Sequence, residues 1–104
     1  MENLIPKDWS VEVITRGRDG NIVYHENSSE ASFYWEFGGR DIIAIIHAGP
    51  ASEWNEKYRW AADRRDEVLD RVIKEVIHQK ARTCLASIDE ESGEILLRKQ
   101  ERAD

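Results

Sequence analysis

Residues 42–46 have the sequence Ile42-Ile43-Ala44-Ile45-Ile46, which is apolar at every position. A strand of this composition is usually covered on at least part of both faces, so the run predicts a central strand of a sheet. Pro50 follows soon after it, and proline ends a strand because it cannot donate a hydrogen bond to a neighbour.

Three further strand patterns precede this run, at residues 11–15, 22–25 and 33–37. Apolar and polar side chains alternate in the first and third of them, as expected for strands with one buried face. Asp19-Gly20 predicts a tight hairpin turn between the first two strands, because both residue types tolerate positive φ. Gly38-Gly39 predicts the turn that leads into the central strand.

A helical pattern follows the central strand, with Asp63 as its predicted N-cap. Residues 84–88 and 94–98 then predict a last hairpin around Gly93. The apolar residues of the helix recur at spacings of three and four and form one stripe: Val68, Leu69, Val72, Ile73, Val76 and Ile77.

The element order is therefore β-β-β-β-α-β-β. We expect a two-layer α+β fold, in which one long helix packs across one face of a mainly antiparallel sheet. A chain of 104 residues has the size of one domain. Residues 1–8 are predicted to form a loose lead-in, and residues 101–104 a frayed tail.

The formal net charge of −6 disfavours nucleic acid and anionic membranes as partners and suits a basic protein. The single cysteine, Cys84, allows no internal disulfide bond and agrees with a reducing compartment. The N-terminus lacks the apolar core of a signal peptide, and no apolar run approaches the ~20 residues of a membrane span. These observations predict a cytoplasmic protein.

Motifs of nucleotide-binding loops, zinc sites and hydrolase elbows are absent from the sequence. We therefore expect no cofactor and no metal, and we favour a protein that is not an enzyme. Cys84 is predicted to be a small buried apolar residue. His47, at the end of the central strand, is a candidate binding residue or general base. Glu36 and Asp41, which flank the predicted Gly38-Gly39 turn, are a weaker candidate pair for acid–base chemistry.

Residues 54–65 combine large aromatic rings with arginines, the residue types that are enriched in binding hot spots. They predict a protein-binding segment. The alternatives are a connection pinned to the sheet by its tryptophans, and a stacking platform for single-stranded nucleic acid. The candidate binding residues in this segment are Trp54, Tyr58, Arg59, Trp60, Arg64 and Arg65.

Residues 89–91 and Glu94 form a second candidate surface, the acidic tip of the last hairpin. It is either a solvated turn or a docking point for a basic partner. An exposed edge strand, in the first or the last hairpin, could also pair two copies of the chain.

The profile of a short, acidic chain poor in catalytic motifs is similar to that of small bacterial immunity or antitoxin-like proteins. This similarity is one of profile and covers no specific motif. It implies a small binding or regulatory protein that acts through a protein partner. The alternative is a small enzyme or ligand-binding domain, with a pocket near His47, Glu36 and Arg64 or Arg65.

Overall fold

The computed structural model describes residues 8–100 of the chain. Within these residues the chain forms one six-stranded antiparallel sheet in the order β1-β2-β3-β4-β6-β5. The predicted lead-in and tail lie outside the described residues, apart from Asp8. The strands are β1 (Trp9–Arg16), β2 (Asp19–Glu26), β3 (Ser29–Gly39), β4 (Ile42–His47), β5 (Cys84–Ile88) and β6 (Glu94–Lys99).

Two α-helices connect β4 to β5, and both pack on the same face of the sheet. Helix α1 spans Ala51–Lys57, a 3-10 turn spans Arg59–Ala61, and the long helix α2 spans Arg65–Lys80. The predicted α+β fold with one long helix across the sheet is confirmed. The stripe of α2 is buried as predicted at Val68, Leu69, Val72 and Val76.

Strand β4 lies between β3 and β6, so its prediction as a central strand is confirmed. Ala44 and Ile46 are buried in the core with the helices. Ile45 on the other face is only partly buried, against Leu96 of β6, which lies opposite it. Burial beneath the helices therefore stabilises one face of β4 most, because apolar area removed from water contributes in proportion to its extent.

The first hairpin turn lies at Gly17-Arg18, so the predicted turn at Asp19-Gly20 is wrong. Both predicted turn residues belong to β2, where Gly20 pairs with Thr15. Gly17 has a φ of 72°. A two-residue turn with glycine in this conformation at its first position matches the twist of the two strands, which explains why the chain turns two residues earlier.

Gly20 is a glycine because another side chain crosses over it. A Cβ atom at this position would collide with the carbonyl of Ile14 and would lie 2.8 Å from Nε1 of Trp35. The indole N–H of Trp35 donates a 3.1 Å hydrogen bond to that same Ile14 carbonyl. A contact between β3 and β1 therefore requires the glycine, and local sequence gives no sign of such a contact.

The turn between β3 and β4 also differs from the prediction by a short shift. Gly38-Gly39 still belongs to β3, and the turn lies at Arg40-Asp41. Gly38 has no room for a side chain, since a Cβ atom there would collide with Ile42. As at Gly20, close packing between strands accounts for a glycine that resembles a turn signal.

The predicted N-cap of the long helix is also wrong. Arg64 occupies that position, and no side chain caps the helix. Asp63 has a positive φ of 62° and bonds instead to Asn55 of α1. Two ion pairs at i,i+4 spacing lie on the surface of α2, Glu67–Arg71 at 2.8 Å and Asp70–Lys74 at 3.0 Å.

Candidate functional site

The connection of residues 54–65 lies on the helix-covered face of the sheet and contributes directly to the core. Trp54 is 2% exposed and stacks on Phe33 of β3, with ring centroids 6.2 Å apart. Its indole N–H donates a 2.9 Å hydrogen bond to the carbonyl of Ala61. Tyr58 is also buried and packs edge-on against Phe33. In this conformation the two rings offer a partner almost no contact area.

The other residues of this segment remain partly accessible. Trp60 is partly buried and stacks on Tyr24 of β2 at 6.2 Å, whereas Arg59 is exposed. The structure thus divides the predicted binding segment into a buried part and an accessible part. The assignment of these residues to partner binding stays a prediction.

Arg64 is engaged in an ionic cluster between α2 and the end of β2. Its Nη2 donates to Oε1 of Glu26 at 2.9 Å, and its Nε donates to Oε1 of Glu67 at 2.8 Å. Arg71 donates from Nη1 to the hydroxyl of Tyr24 at 2.8 Å and pairs with Glu67. The hydrogen bond from Arg64 is the main reason that the pKa of Glu26 lies below its ordinary value.

Arg65 is the single buried charged residue among residues 8–100, at 7% exposure. Its Nη1 donates a 2.7 Å hydrogen bond to Oε1 of Glu90 at the acidic tip, and its Nη2 donates to the carbonyl of Gly49 at 3.4 Å. Its Nε is buried and has no hydrogen-bond partner among residues 8–100. One oxygen of Glu90 is therefore paired with the body of the molecule, although 64% of the side chain is exposed.

The rest of the acidic tip is partly structural. A side-chain oxygen of Asp89 accepts hydrogen bonds from the backbone N–H groups of Glu91 and Ser92, which closes the turn. Glu91 is exposed, and Glu94 lies 3.9 Å from Nδ1 of His47. Only part of the predicted docking point is thus available to a partner.

His47 and Glu36 meet on the other face of the sheet, with Nε2 of His47 2.7 Å from Oε2 of Glu36. Arg64 and Arg65 lie on the helix-covered face. The structure therefore does not bring the four residues of the expected pocket together. Cys84 is buried, as its apolar neighbours predict.

The face that carries His47 has no helix packed on it in the described part of the chain, and we call it the open face. Its side chains are those that alternate with the core residues along each strand. Five carboxylates and two guanidinium groups belong to it by register: Glu12, Asp19, Glu30, Glu36 and Glu94, with Arg16 and Arg98.

Each of two histidines on the open face bridges glutamates from the strands on either side. Nε2 of His25 on β2 lies 3.4 Å from Glu12 of β1, and its Nδ1 lies 3.6 Å from Glu30 of β3. His47 on β4 bridges β3 and β6 in the same way. The two carboxylates contact different ring nitrogens, so they do not converge on one point. Accordingly, no three His, Cys, Asp or Glu side chains among residues 8–100 are placed so that they could hold one metal ion together.

Tyr34 stands beside this arrangement and is 42% exposed. Its ring stacks on His47 at 5.7 Å, and its hydroxyl donates a 2.8 Å hydrogen bond to Asp19. That hydrogen bond raises the pKa of Tyr34 above its ordinary value of 10.0, so the hydroxyl stays protonated at neutral pH. A shallow depression beside the ring is lined by Arg16, Arg18, Asp19, Tyr34, Glu36 and Phe37.

An apolar cavity of about 180 Å³ lies elsewhere, between the sheet and the C-terminal end of α2. Trp35, Phe37 and Ile43 form part of its wall, and Lys80 is the one charged residue among residues 8–100 that lines it. Phe37 is 48% exposed, so the wall of the cavity continues into an exposed aromatic ring. The cavity is smaller than the roughly 300–1,000 Å³ that is typical of drug-sized ligand sites.

No family model, curated protein sequence or solved structure matches this chain. No helix within residues 8–100 is long and apolar enough to cross a bilayer. Of the histidine and tyrosine side chains on the open face, only His47 was predicted from the sequence as a binding residue, and His25 and Tyr34 were not. The alternation of polar and apolar residues along β3 was the sequence feature that indicated this polar face. Four residues of β3 face away from the aromatic core residues: Glu30, Ser32, Tyr34 and Glu36.

Proposed function

We propose that this chain is a non-enzymatic binding module that recognises a basic protein surface with the open face of its sheet. The observation that carries the proposal is the set of five carboxylates on the open face, which also carries the exposed ring of Tyr34. The similarity to immunity or antitoxin-like proteins implies a regulatory role. The chain would have such a role if the surface that it binds included the active site of the partner.

Charge complementarity supports a basic partner. The carboxylates of the open face outnumber its guanidinium groups, and the whole chain carries a net charge of −6. Such a surface accelerates the encounter with a positive patch and disfavours acidic competitors. Because the groups are exposed, the attraction would weaken as salt screens it.

The depression beside Tyr34 is a specific place on this negatively charged surface where a partner side chain could bind. The carboxylates of Asp19 and Glu36 line it next to the aromatic ring, and the guanidinium groups of Arg16 and Arg18 line it as well. A lysine or arginine side chain from a partner would displace these arginines to place its charge between the carboxylates and its aliphatic stem against the ring. Tyrosine is also among the residues that are enriched in binding hot spots.

The proposal is tested with a synthetic peptide rich in lysine and arginine, titrated against the chain by calorimetry at low and at high salt. We expect Glu36→Gln/Glu94→Gln to raise the dissociation constant about two- to thirtyfold, since surface ion pairs contribute about 0.2–1 kcal/mol each. Tyr34→Ala should weaken binding further, because it removes the exposed ring.

Glu53→Gln/Glu56→Gln is the matched control, since it removes the same two charges from exposed positions of α1. This variant should change the dissociation constant less than about twofold, because surface attraction falls off within a Debye length. Equal weakening by both double variants would mean nonspecific attraction and would overturn the site. Absence of salt-sensitive binding by the unmodified chain would overturn the function.

Ligand binding is a second candidate function, and the apolar cavity is the observation that favours it. With Lys80 as its one lining charge, the cavity suits a compact apolar molecule that ends in a carboxylate. NMR titration with benzoate, and with benzyl alcohol as the uncharged probe, tests this candidate. We expect shifts at Ala81 and Leu97 that are stronger for benzoate and that disappear in Ala44→Phe, which fills the cavity. No shift with either probe would exclude this class of ligand.

A further inference from the structure

Within residues 8–100, strand β5 forms one edge of the sheet and is paired with β6 on one side only. Its five residues, Cys84-Leu85-Ala86-Ser87-Ile88, include no charged residue and no proline. Leu85 is 58% exposed, and Ala86 and Ser87 are exposed beside it. Natural edge strands usually carry charges, prolines or bulges that prevent pairing with another chain. Strand β5 lacks these features.

The register shows which backbone groups face the edge. The N–H of Asp89 donates to the carbonyl of Glu94, and the N–H of Gln100 donates to the carbonyl of Thr83. Hydrogen-bonded pairs alternate along an antiparallel ladder, so Leu85 and Ser87 direct their backbone groups toward β6. The N–H and C=O groups of Ala86 and Ile88 therefore point outward.

The opposite edge, β1, is protected in two ways. The N–H of Asn27 donates to the carbonyl of Asp8, and the same alternation makes Val11 an outward-facing residue. The carbonyl of Val11 accepts a 3.1 Å hydrogen bond from Nε2 of Gln79 on α2. Glu12 also places a charge on this strand. Strand β5 is thus the less protected edge.

We propose that β5 is a homodimer interface, at which a second copy of this chain adds its own β5 in antiparallel orientation about a two-fold axis at Ala86. In this register Ala86 pairs with Ala86 of the second copy, and Cys84 pairs with Ile88. The outward N–H and C=O groups of Ala86 and the N–H of Ile88 become hydrogen-bonded, whereas the N–H of Cys84 already donates to the carbonyl of Ala81. The two sheets join into one. Leu85 lies diagonally across from Leu85 of the second copy, close enough for the two long side chains to touch.

The charges that flank β5 favour a second copy as the occupant. Lys80 and Arg82 precede the strand, and Asp89, Glu90 and Glu91 follow it. The two-fold axis places the basic start of each strand beside the acidic end of the other, with Arg82 opposite Glu90 and next to the exposed Glu91. The interface is therefore self-complementary, as a two-fold contact requires. A parallel arrangement would instead bring like charges together.

Ala86→Pro is the variant that tests the dimer. In the monomer the N–H of Ala86 faces the edge, so proline removes no hydrogen bond to β6 and is compatible with an edge strand. It does remove the central hydrogen bonds between the copies. Sedimentation equilibrium should show the unmodified chain moving from 12.1 kDa toward twice that mass as its concentration rises. The variant should dimerise at least about tenfold more weakly.

Thr15→Pro is the matched control on the other edge, where the N–H of Thr15 also points outward by the register of β1. Circular dichroism would verify that both proline variants fold. Charge-reversal variants test the interface independently. Arg82→Glu and Glu91→Lys should each weaken the dimer. The variant that carries both substitutions should recover part of the lost affinity. Both residues are exposed, so these changes leave the core intact.

A chain that stays at 12.1 kDa across the accessible concentrations would overturn the proposal. So would a dimer that Ala86→Pro leaves intact and Thr15→Pro dissociates, because it would place the contact on β1. A dimer that dissociates with neither variant would also overturn it. The dimer does not depend on the basic partner proposed above, since Ala86→Pro leaves the carboxylates of the open face unchanged.

Discussion

Arg64 at the start of α2 donates a 2.9 Å hydrogen bond to Glu26 at the end of β2. The hydroxyl of Tyr24 donates a second one to the same carboxylate oxygen at 2.7 Å. Only 12% of the Glu26 side chain is exposed, and the bond from Arg64 holds its pKa below the ordinary value of 4.5. This carboxylate therefore joins the helix to the sheet in its charged form.

The lowered pKa of Glu26 predicts a contribution to acid sensitivity. Its stabilising effect is complete above its unfolded pKa, near 4.5, and is lost as the pH falls through the lower folded value. Glu26→Gln should reduce the free energy of unfolding at neutral pH by about 1–2 kcal/mol. Urea unfolding should show a smaller loss of stability between about pH 6 and pH 3 in the variant than in the unmodified chain.

Glu53→Gln, at an exposed position of α1, is the control for this measurement. It should leave the pH dependence close to that of the unmodified chain. A Glu26→Gln variant that lost stability on acidification as steeply as the unmodified chain would show that the Arg64 contact does not govern this part of the profile.

Trp54 is predicted to be essential for stability. Its ring is 2% exposed, stacks on Phe33 and donates a buried hydrogen bond to Ala61. Trp54→Ala should lower the free energy of unfolding by about 3–5 kcal/mol through the cavity that it leaves. Trp60→Ala should have a clearly smaller effect, because that ring is only partly buried. If urea unfolding showed that Trp54→Ala and Trp60→Ala lower the free energy of unfolding equally, the prediction from their different burial would be wrong.

Residues 54–65 show why the sequence could not distinguish a core connection from a binding surface. Trp, Tyr and Arg are enriched in hot spots because they bury much area and form directed hydrogen bonds, and the same properties suit a connection packed under a sheet. The stripe of α2, in contrast, was predictable because its spacing is local. Trp54 is placed by its stacking on Phe33, which is distant in the sequence, so local sequence could not predict whether its ring is buried.

The glycine turns illustrate the same limit. Asp19-Gly20 has the composition of a hairpin turn, yet Gly20 lies within β2 beneath the indole of Trp35. The reason for that glycine is a contact with β3, which only the fold reveals. The bridging of His25 between Glu12 and Glu30 likewise depends on the register of three strands, although alternation predicted that these strands would have a polar face.

Gly20→Ala should destabilise the protein much more than Gly17→Ala. At Gly20 the new methyl group would collide with the Ile14 carbonyl and the Trp35 ring, and we expect a loss of about 2–4 kcal/mol. At Gly17 there is open space, so the loss should reflect only the positive φ, about 1–2 kcal/mol. Thermal unfolding of the two variants measures the difference. The reverse order would contradict the close packing of Gly20 against Ile14 and Trp35.

The pair of Arg65 and Glu90 predicts that one residue of the acidic tip is structural. Arg65 is buried and its Nε has no protein partner, so its positive charge depends on Glu90 for compensation. Glu90→Ala would leave this charge without its carboxylate, and removing one partner of a buried pair is strongly destabilising. Because the Glu90 side chain is 64% exposed, water moderates the loss, and we expect about 1–2 kcal/mol.

Glu91→Ala is the matched control, because Glu91 is an exposed neighbour in the same turn. Its effect on the free energy of unfolding should stay within about 0.5 kcal/mol. A double-mutant cycle with Arg65→Met then isolates the pair, since the methionine keeps much of the buried volume without the charge. In that background Glu90→Ala should be nearly neutral. An unchanged loss in the Arg65→Met background would mean that Glu90 acts through the turn and not through the buried guanidinium.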